Sequence, residues 1–507
     1  MKTIVNSKHL VSILALMLAI VMCFSACGNN GDTPSDTASA DNTSVTDTSK
    51  EQTADDSSST EDDAQESSSS EKEESKQQQQ SSNQQQQQNS QQQNNQQQQS
   101  SSSSTWDKDY LSTMPESVKD KGITILLWRE LHKTEQQLID DFVKKTGCKV
   151  KKVITTEQEY STKLISMMSA KESPDVCVLR TRDFPAMATR SMMPLDEKIF
   201  RLKDDCWNYD YMDSFSINDR YFSVAMAGSW SCEDTLYVTY YQPKVLKECG
   251  VSETPWQLYK KGQWNWSTQN DIAKKVAGAG KGYSGICLQN WDLYMLSAGQ
   301  DFASFNGKTY TNKVASPSKL LVQSWREVAE LNESQVAVGW KLEQVLQGKI
   351  GLFSSIAYGM YNEGGWGFDK IPGGFSSIEC VPVAGPTQSS AYTPARPKTW
   401  GTAKGAKNPE GAAYFLRYWL DVNNCNFEKT FISSQAKEVF NIITKQSHKK
   451  QVITGMGVTN YAASGQYEKI CSALVSSSDN VPTNLAAKNG IIQTGIDKAN
   501  RDLTRVR

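Results

Sequence analysis

From residue 121 to residue 179 the sequence alternates apolar runs with amphipathic segments, and this alternation restricts the possible folds more than any other feature. The run KGITILLW (121–128) is typical of a strand buried on both faces. A helix is predicted to follow, with a capping box of Thr134 and Gln137 and a stop at Gly147. The next predicted elements are a strand at 149–154, a helix at 158–170 and a strand at 174–179. The order βαβαβ predicts a parallel, doubly wound sheet and hence an α/β fold.

The alternation continues toward the C-terminus. Residues 235–241 predict a strand, and Ser267 or Thr268 is expected to cap a helix that ends near Val276. The triplet Asn408-Pro409-Glu410 has the order of an N-cap, a proline at N1 and a first-turn acid. With 507 residues, and all 13 Trp and 19 Tyr located after residue 105, the chain has material for two or three domains with sizeable cores.

The N-terminus has the features of an export signal. Lys2 and Lys8 precede an apolar stretch, 10–24, that is short for a membrane span. The segment Phe24-Ser25-Ala26-Cys27-Gly28 resembles the lipobox of a bacterial lipoprotein, which implies that residues 1–27 are a lipoprotein signal peptide and that Cys27 is lipidated. Cleavage near Ala26 by an ordinary signal peptidase is the alternative.

Residues 28–105 are predicted to be a disordered tether. They hold 20 Ser and 18 Gln, no aromatic residue and only five apolar residues, too few to offset the entropy lost on folding. The tether would hold a folded body away from a membrane, and an adhesive role for the Gln tract is the rival interpretation.

Charge and residue usage exclude several classes of function. The body, 106–507, carries +7 on dispersed lysines, a pattern that does not indicate a nucleic-acid partner. Its nine cysteines include no CxxC pair, so neither a disulfide framework nor a zinc knuckle is indicated. It has only two histidines, His132 and His448, so we do not expect catalysis that depends on histidine. The acid-rich stretch 204–213 lacks the glycine and spacing of a calcium loop, and we predict no metal or cofactor.

Six segments resemble, in order, the family 1 extracellular solute-binding lipoproteins of ABC importers, which include maltose-binding protein. These segments are 122–150, 174–197 (PDVCVLRTRDFPAMATRSMMPLDE), 236–251 (LYVTYYQPKVLKECGV), 258–276, 345–355 (VLQGKIGLFSS) and 407–420 (KNPEGAAYFLRYWL). Each motif alone is weak evidence for the family, whereas all six in the family's order are specific evidence. Gln242 replaces the usual Asn, and the aromatic stretch 205–222 and the last 60 residues depart from the pattern.

The resemblance implies a two-lobe, periplasmic-binding-protein-like fold. Each lobe would be a doubly wound sheet with flanking helices, and a hinge of two or three crossing segments would join the lobes. Carried over by motif position, lobe one is 120–233 plus 399–445, and lobe two is 237–395 plus 450–507. A ligand would be trapped in the cleft by hinge closure.

Candidate ligand contacts combine charged groups with aromatic rings, as sugar recognition requires. Arg129 and Glu130 follow the first strand, and Arg182 and Asp183 follow the third, at the carboxyl ends where cleft residues belong. Resemblance to family positions adds aromatic residues, which are Trp230, Trp291, Tyr358, Trp366 and Trp400. The alternatives are paired surface charges and core aromatics, as we expect for Trp325, Trp340 and Trp419.

The sequence therefore predicts a lipid-anchored receptor of an ABC importer that captures a carbohydrate, with an oligosaccharide as the expected ligand, and performs no catalysis. Its partners would be the sugar and the permease subunits in the membrane, and we expect a monomer. The expected location is the outer face of the cytoplasmic membrane of a Gram-positive-like cell. The alternatives are a lipid-anchored glycoside hydrolase or lyase, and an adhesin or sensor that uses the same clamp.

Overall fold

The computed structural model describes residues 110–226, 228, 233–361, 367–421, 424 and 430–506, which all belong to one unit of the chain, 94–507. The predicted signal peptide, with Cys27, and the tether 28–105 lie outside the described residues. The strands are β1 (Ile123–Leu127), β2 (Val150–Ile154), β3 (Cys177–Arg180), β4 (Tyr237–Tyr241), β5 (Ser284–Leu288), β6 (Ala303–Phe305), β7 (Tyr310–Asn312), β8 (Ala337–Gly339), β9 (Ile350–Ile356), β10 (Glu379–Pro382), β11 (Thr393–Ala395), β12 (Lys398–Gly401) and β13 (Lys450–Val452).

Helices alternate with most of these strands. They are α1 (Glu116–Lys119), α2 (Lys133–Thr146), α3 (Tyr160–Ser169), α4 (Ala186–Arg190), α5 (Tyr209–Ser214), α6 (Pro243–Glu248), α7 (Pro255–Lys260), α8 (Trp266–Ala277), α9 (Leu293–Ser297), α10 (Lys319–Glu333), α11 (Leu342–Leu346), α12 (Pro409–Leu420), α13 (Ser434–Thr444), α14 (Gly455–Asn460), α15 (Gln466–Leu474) and α16 (Val481–Leu503). In the part of the chain that the structure describes, no helix has the length and apolar character needed to cross a membrane.

The lobe-one sheet has the order β2-β1-β3-β12. β1 and β2 are parallel along their whole length, and a parallel bridge between Ile125 and Val176 continues the sheet toward β3. The predicted βαβαβ unit is therefore present in the predicted order. β12 returns to this sheet antiparallel to β3, with Lys398 opposite Arg180 at the carboxyl end of β3.

The lobe-two sheet is mixed rather than purely parallel. Its order is β10-β4-β9-β5-β8, in which β5 runs parallel to β8 and β9 while β4 runs antiparallel to β9 and β10. The residues of β4 are all buried, as expected for a central strand covered on both faces.

Three chain segments lie side by side where the two sheets meet. β11 pairs in parallel with β13, and Ala395 at the end of β11 forms an antiparallel bridge with Leu236. The chain thus passes between the lobes near 236 and 395, in agreement with the expected hinge of two or three crossings, and β13 lies beside the second of these crossings. Bending at this paired backbone is the motion that such a hinge allows.

Two helix N-termini differ by a few residues from the capping predictions. α2 begins after His132, whose backbone N–H donates to Glu135 Oε2 at 2.7 Å, so the predicted box of Thr134 and Gln137 is wrong. α8 begins after Asn265, whose side chain accepts from the Thr268 N–H at 3.2 Å. In both cases an extended residue with a suitable partner three positions later precedes the predicted cap, and the helix starts there.

The predicted cap at Asn408 is confirmed and also joins three elements of lobe one. Its Oδ1 accepts from the Gly411 N–H at 3.0 Å, while its Nδ2 donates to the carbonyls of Val118 and Gly122, each at 2.8 Å. The Asn408 backbone N–H donates to Asp175 Oδ1 at 2.7 Å. Asn408 is 1% exposed, so each of these bonds is made away from water.

The packing of α13 differs from the expected lobe boundary. Its motif position predicts that it belongs to lobe one, but Gln435 on this helix hydrogen-bonds both backbone groups of Cys380 on β10 of lobe two. Phe440 packs its ring 5.9 Å from that of Tyr361, which follows β9. The lobe-one portion of the return segment therefore ends before α13, since the apolar face of this helix is buried against lobe two.

Cysteines of the described residues form no bridge with one another. They are free thiols, all buried, at positions 148, 177, 206, 249, 287, 380 and 471, whereas Cys232 and Cys425 lie outside the described residues. Burial raises the pKa of the Cys287 thiol to about 11, so this side chain behaves as a small apolar residue.

The first prediction concerns the Asn408 cap. Asn408→Ala should lower the free energy of unfolding by about 2 to 4 kcal/mol, because it removes a helix cap and leaves two buried carbonyls without a donor. Urea unfolding would measure the change. Asn480→Ala is the matched control, since Asn480 precedes α16, is exposed and makes no side-chain cap bond. Equal effects of the two variants would contradict this role.

The second prediction concerns the pH dependence of the stability that His448, just before β13, contributes. Burial and the nearby Lys450 lower the pKa of His448 to about 4, and its Nε2 lies 2.8 Å from Thr393 Oγ1 on β11. Because the folded pKa lies below the unfolded value of about 6.5, the stability that neutral His448 contributes is complete above pH 6.5 and is lost as the pH falls toward 4.

The His448→Gln variant tests this expectation, since glutamine keeps a polar group and does not titrate. When the pH falls from 6.5 to 4, the unfolding free energy of the wild type should decrease by up to about 3 kcal/mol relative to that of the variant. A difference that stays constant over this range would show that His448 is not linked to folding.

Candidate ligand cleft between the lobes

The lobe-one wall of the cleft begins at the carboxyl end of β1. Arg129 donates from both terminal nitrogens to the two carboxylate oxygens of Glu135, at 2.8 and 2.6 Å. The adjacent Glu130 is exposed and accepts from Arg129 through its backbone carbonyl at 2.7 Å. The structure thus places both predicted residues at the strand end, with Arg129 held against α2 and the Glu130 side chain exposed.

The carboxyl end of β3 carries a second arginine–carboxylate pair. Arg180 donates to Asp183 through Nε at 2.5 Å and through a terminal nitrogen at 3.1 Å, and Ser161 adds a bond to the same carboxylate at 3.1 Å. The Asp183 side chain is only 10% exposed, so its oxygens serve this pair first. The next residue along the wall, Arg182, is exposed and lies 3.7 Å from Glu157, which leaves it the more accessible of the two predicted contacts.

The lobe-two wall comes from the strand ends that face this edge. Trp291 follows β5 and is partly buried, with its ring beside Gly339 of β8. Tyr358 follows β9, and its hydroxyl lies 3.0 Å from Nε2 of His132 at the start of α2. The bond therefore joins the strand-end loops of the two lobes. Burial and the nearby Arg129 lower the pKa of His132, so it is neutral at pH 7.

The floor of the cleft is a buried ion pair that sequence reasoning missed. Arg396, between β11 and β12, donates to Asp292 Oδ2 at 2.6 Å, and the Tyr467 hydroxyl donates to the same oxygen at 2.6 Å. The Tyr237 hydroxyl accepts from Asn290 at 2.6 Å beside this pair. Asp292 is 1% exposed, so the pair is structural. The sequence signal for this pair was the position of the acidic Asp292 directly after Trp291, a predicted ligand contact.

A second missed residue is Lys398, at the edge of β12. Its ammonium lies 5.0 Å from the ring centroid of Trp128, and its β-sheet partner is Arg180. Burial is the main cause that lowers the pKa of Lys398 to about 8; the nearby Arg129 and Arg180 act in the same direction, and Glu157 and Glu135 act against them. The lysine was not predicted because it follows no parallel strand and is recognised only once β12 is known to pair with β3.

Trp400 corrects a sequence prediction. It is 0% exposed, with its ring centroid 5.5 Å from that of Trp128 and 4.7 Å from that of Trp419. Side chains two residues apart on a strand share a face, so Trp400 lies on the same face of β12 as Lys398 and two positions further along the strand. Trp400 is therefore a core residue in this structure. Trp230 and Trp366 lie outside the described residues, and their predicted contacts stay predictions.

Arg182 and Asp183 line a cavity of about 800 Å³. Its other side is formed by α14, α15 and the turn between them, including Asn460 and Glu468. A volume of this size suits a small molecule of several rings. A larger cavity of about 1020 Å³ lies beside β13, lined by α5, β6 and residues such as Lys313. The 800 Å³ cavity is the one that adjoins the carboxyl end of β3, and parallel sheets place ligands beyond this edge.

Metal binding has no support in this cleft. Across 110–506, apart from the gaps given above, no three His, Cys, Asp or Glu side chains lie together as metal ligands would. The Glu135 and Asp183 carboxylates each use both oxygens on an arginine.

Two α/β lobes, paired crossing segments between them and a cleft at the strand ends define a two-lobe binding protein. The model of the family described as bacterial extracellular solute-binding protein matches residues 128–422, and the chain belongs to this family. The predicted resemblance is therefore confirmed at the level of family and fold. No curated protein sequence matches the chain.

Solved structures with the same fold are distant in sequence. An ABC substrate-binding protein from Listeria monocytogenes in complex with cycloalternan is 17% identical, with a TM-score of 0.52, over 75% of this chain and 98% of that chain. The galacto-N-biose-/lacto-N-biose I-binding protein from Bifidobacterium longum, in complex with lacto-N-biose, is 12% identical, with a TM-score of 0.56, over 75% and 97%. UgpB from Mycobacterium tuberculosis, in complex with glycerophosphocholine, is 14% identical, with a TM-score of 0.54, over 73% and 100%.

Proposed function

We propose that this protein is the carbohydrate receptor of an ABC importer, which captures an oligosaccharide between its lobes and delivers it unchanged. The observation that carries the proposal is the meeting of strand-end loops from both lobes, joined by the hydrogen bond between Tyr358 and His132. A ligand that contacts both walls favours the closed form by its difference in affinity for the closed and open forms. Family membership supports a transport role.

The side chains of the cleft support a sugar as the ligand. Trp291 and Tyr358 offer partly exposed rings on the lobe-two wall, opposite the exposed Arg182 and Glu130 of lobe one. A pyranose has apolar C–H faces that stack on such rings and hydroxyl pairs that bind planar polar groups. Two of the structural neighbours were solved with saccharides, and one with glycerophosphocholine.

Trp230 and Trp366 complete the proposed ligand set. Trp230 precedes the first crossing and Trp366 lies in the glycine-rich sequence EGGWGF, close in sequence to Tyr358. With Arg129, Asp183 and Trp291 they would surround a ligand from both lobes. The lobes themselves we propose to be 120–233 with β12 and α12, and 237–395 with α13 and residues 450–507.

The sequence supports attachment of the receptor to a membrane. Lipidation at Cys27, followed by the tether 28–105, would place the cleft at the outer face of the cytoplasmic membrane, next to the permease subunits. Several acyl chains on one residue give firm attachment, whereas a single chain is marginal. We propose that the receptor is a monomer, so that each anchored chain has one cleft.

The rival function, a glycoside hydrolase or lyase, needs a protonated acid and a carboxylate on opposite sides of a glycosidic bond. Glu135 and Asp183 instead face arginines on their own wall of the cleft. An oligosaccharide recovered intact after incubation with the protein would count against hydrolysis, and a shortened one would replace the receptor proposal. Recovery of the permease with the anchored protein would separate transport from adhesion or sensing.

The third prediction is that an oligosaccharide from a glycan panel stabilises the protein against heat. At a concentration of 100 times Kd, a ligand of the folded form contributes about 2.7 kcal/mol. Trp291→Ala should weaken the binding of that oligosaccharide roughly 10- to 100-fold, because the stacking surface is lost. Trp256→Ala is the matched control, since Trp256 stacks on Tyr259 within α7. Stabilisation by a peptide or polyamine alone would contradict the carbohydrate assignment.

The fourth prediction concerns the anchor. Cys27→Ser should release the protein from the membrane fraction into the medium and abolish its labelling by a radioactive fatty acid. Cys23→Ser is the control, because the bulky Met22 before it is a poor fit for a peptidase that prefers small residues. Retention of label by the Cys27→Ser variant would show that the lipid is attached elsewhere or that the signal is an ordinary secretory one.

A further inference from the structure

Residues 215–220 of lobe one, which we call the strap, reach across to lobe two. They belong to the aromatic stretch 205–222, which departs from the family pattern. The strap contains a narrow turn in which Asn218 and Asp219 both have left-handed backbone, with φ of 52° and 60°. After glycine, asparagine and aspartate adopt this conformation most readily, so the turn suits these residues.

The strap is fixed to lobe one on both sides of this turn. The Phe215 ring is buried and packs edge to face on that of Phe184, which follows β3, with 5.2 Å between the ring centroids. Directly after the strap, the Tyr221 carbonyl accepts from the Leu195 N–H at 2.8 Å. The tip of the turn therefore has a defined position on lobe one.

Asn218, at the tip, binds three backbone carbonyls that lie outside lobe one. Its N–H donates to Gly307, in the turn between β6 and β7, at 2.8 Å. Its Nδ2 donates to Val506 at 2.8 Å and to Leu503 at 3.4 Å, at the C-terminal end of α16. Asn218 thus joins lobe one to a lobe-two hairpin and to the end of the last helix.

α16 is itself held on that hairpin. The side chain of Asn500 binds both backbone groups of Tyr310 on β7, accepting from the N–H at 2.7 Å and donating to the carbonyl at 3.1 Å. The hairpin and the end of α16 therefore present one joint surface to the strap.

A second lobe-one side chain reaches the same end of α16. Arg190, the last residue of α4, donates to Asp502 Oδ2 through Nε at 3.0 Å and through a terminal nitrogen at 2.7 Å. The Tyr461 hydroxyl donates to the same oxygen. Asp502 is 8% exposed, so these partners hold its carboxylate largely away from water.

Polar and apolar contacts act differently at this boundary. The Phe184 ring also lies 5.3 Å from that of Phe305 on β6, so rings of the two lobes pack together. Apolar contact is non-directional and tolerates a change of angle between its partners, whereas a hydrogen bond weakens steeply when its angle changes. The bonds of Asn218 and Arg190 therefore select one setting of the lobes among those that the rings would allow.

We propose that Asn218 and Arg190 form a clasp with the end of α16, which holds the lobes in the arrangement where Tyr358 meets His132. The clasp is a conformational device that biases the hinge before any ligand arrives. Under the proposed function, on which this step rests, ligand affinity depends on the arrangement of the lobes, so the clasp also sets that affinity.

Distances between spin labels on the two lobes, measured by double electron–electron resonance, test the clasp in the full-length protein. Lys144 on α2 and Lys275 on α8 are exposed and are replaced by p-acetylphenylalanine, which carries the labels and leaves the cysteines unmodified. No ligand is added, because Arg190 also lines the 800 Å³ cavity and its effect on the lobes must be separated from ligand contact.

The clasp variant is Arg190→Ala combined with Asn218→Gly. Glycine keeps the left-handed backbone and the N–H, so this change removes only the side-chain bonds. We expect the fraction of molecules outside the main distance peak of the wild type to rise at least about threefold. If the combined variant does not fold, Asn218→Gly alone should still raise this fraction about twofold.

The matched control is Asp219→Gly combined with Arg505→Ala. Asp219 is the neighbouring residue of the same turn, exposed and 3.9 Å from Lys308, a contact that solvent weakens. Arg505 donates to Asp502 at 3.0 Å from the end of the same helix and so makes no link between the lobes. The control should keep the wild-type distances.

An unchanged distance distribution in the clasp variant, or an equal change in the control, would overturn the clasp. Either result leaves the carbohydrate proposal as it was, because the measurement uses no ligand. Conversely, a glycan panel in which nothing stabilises the protein would contradict the proposed function, while the distances would still decide whether the clasp holds the lobes.

Discussion

The ion pair between Arg396 and Asp292 is the contact on which the arrangement of the two lobes depends. Arg396 lies on the second crossing and Asp292 at the end of β5, so the pair fixes the hinge to the lobe-two sheet. Tyr467 adds α15 to the same carboxylate. Removing either charge would leave the other buried and uncompensated, at a cost of about 3 to 5 kcal/mol. The floor of the cleft is consequently rigid, and motion is left to the walls.

The walls differ in chemistry. Lobe one presents charged groups at its strand ends, most of them already paired within the wall, and lobe two presents the rings of Trp291 and Tyr358. This division suits a ligand with an apolar face and a polar or charged edge. The hydrogen bond between Tyr358 and His132 shows that the walls reach each other without any bridging group. A ligand that contacted both walls would shift the lobes only by its difference in affinity for their arrangements.

The candidate site was only partly predictable. The strand-end rule correctly placed Arg129, Glu130, Arg182 and Asp183 at one edge, because parallel strands share the position of their carboxyl ends. It could not show that Arg129 and Asp183 are held by partners, since hydrogen-bond geometry depends on side chains from other elements. Lys398 was missed and Trp400 misplaced for one reason: the register of β12 against β3 joins residues more than 200 positions apart.

By itself the sequence determined the alternation of strands and helices in lobe one, the helix at Asn408, the family and the order of the segments. These depend on local periodicity and on motifs a few residues long, which neighbouring side chains largely specify. Only the tertiary structure decided the mixed direction of the lobe-two sheet, the packing of α13 on β10, the buried ion pair of Arg396 and Asp292, and the pairing of Lys398 with Arg180. Long-range pairing sets these features, and a single residue of register changes which side chains face the cleft.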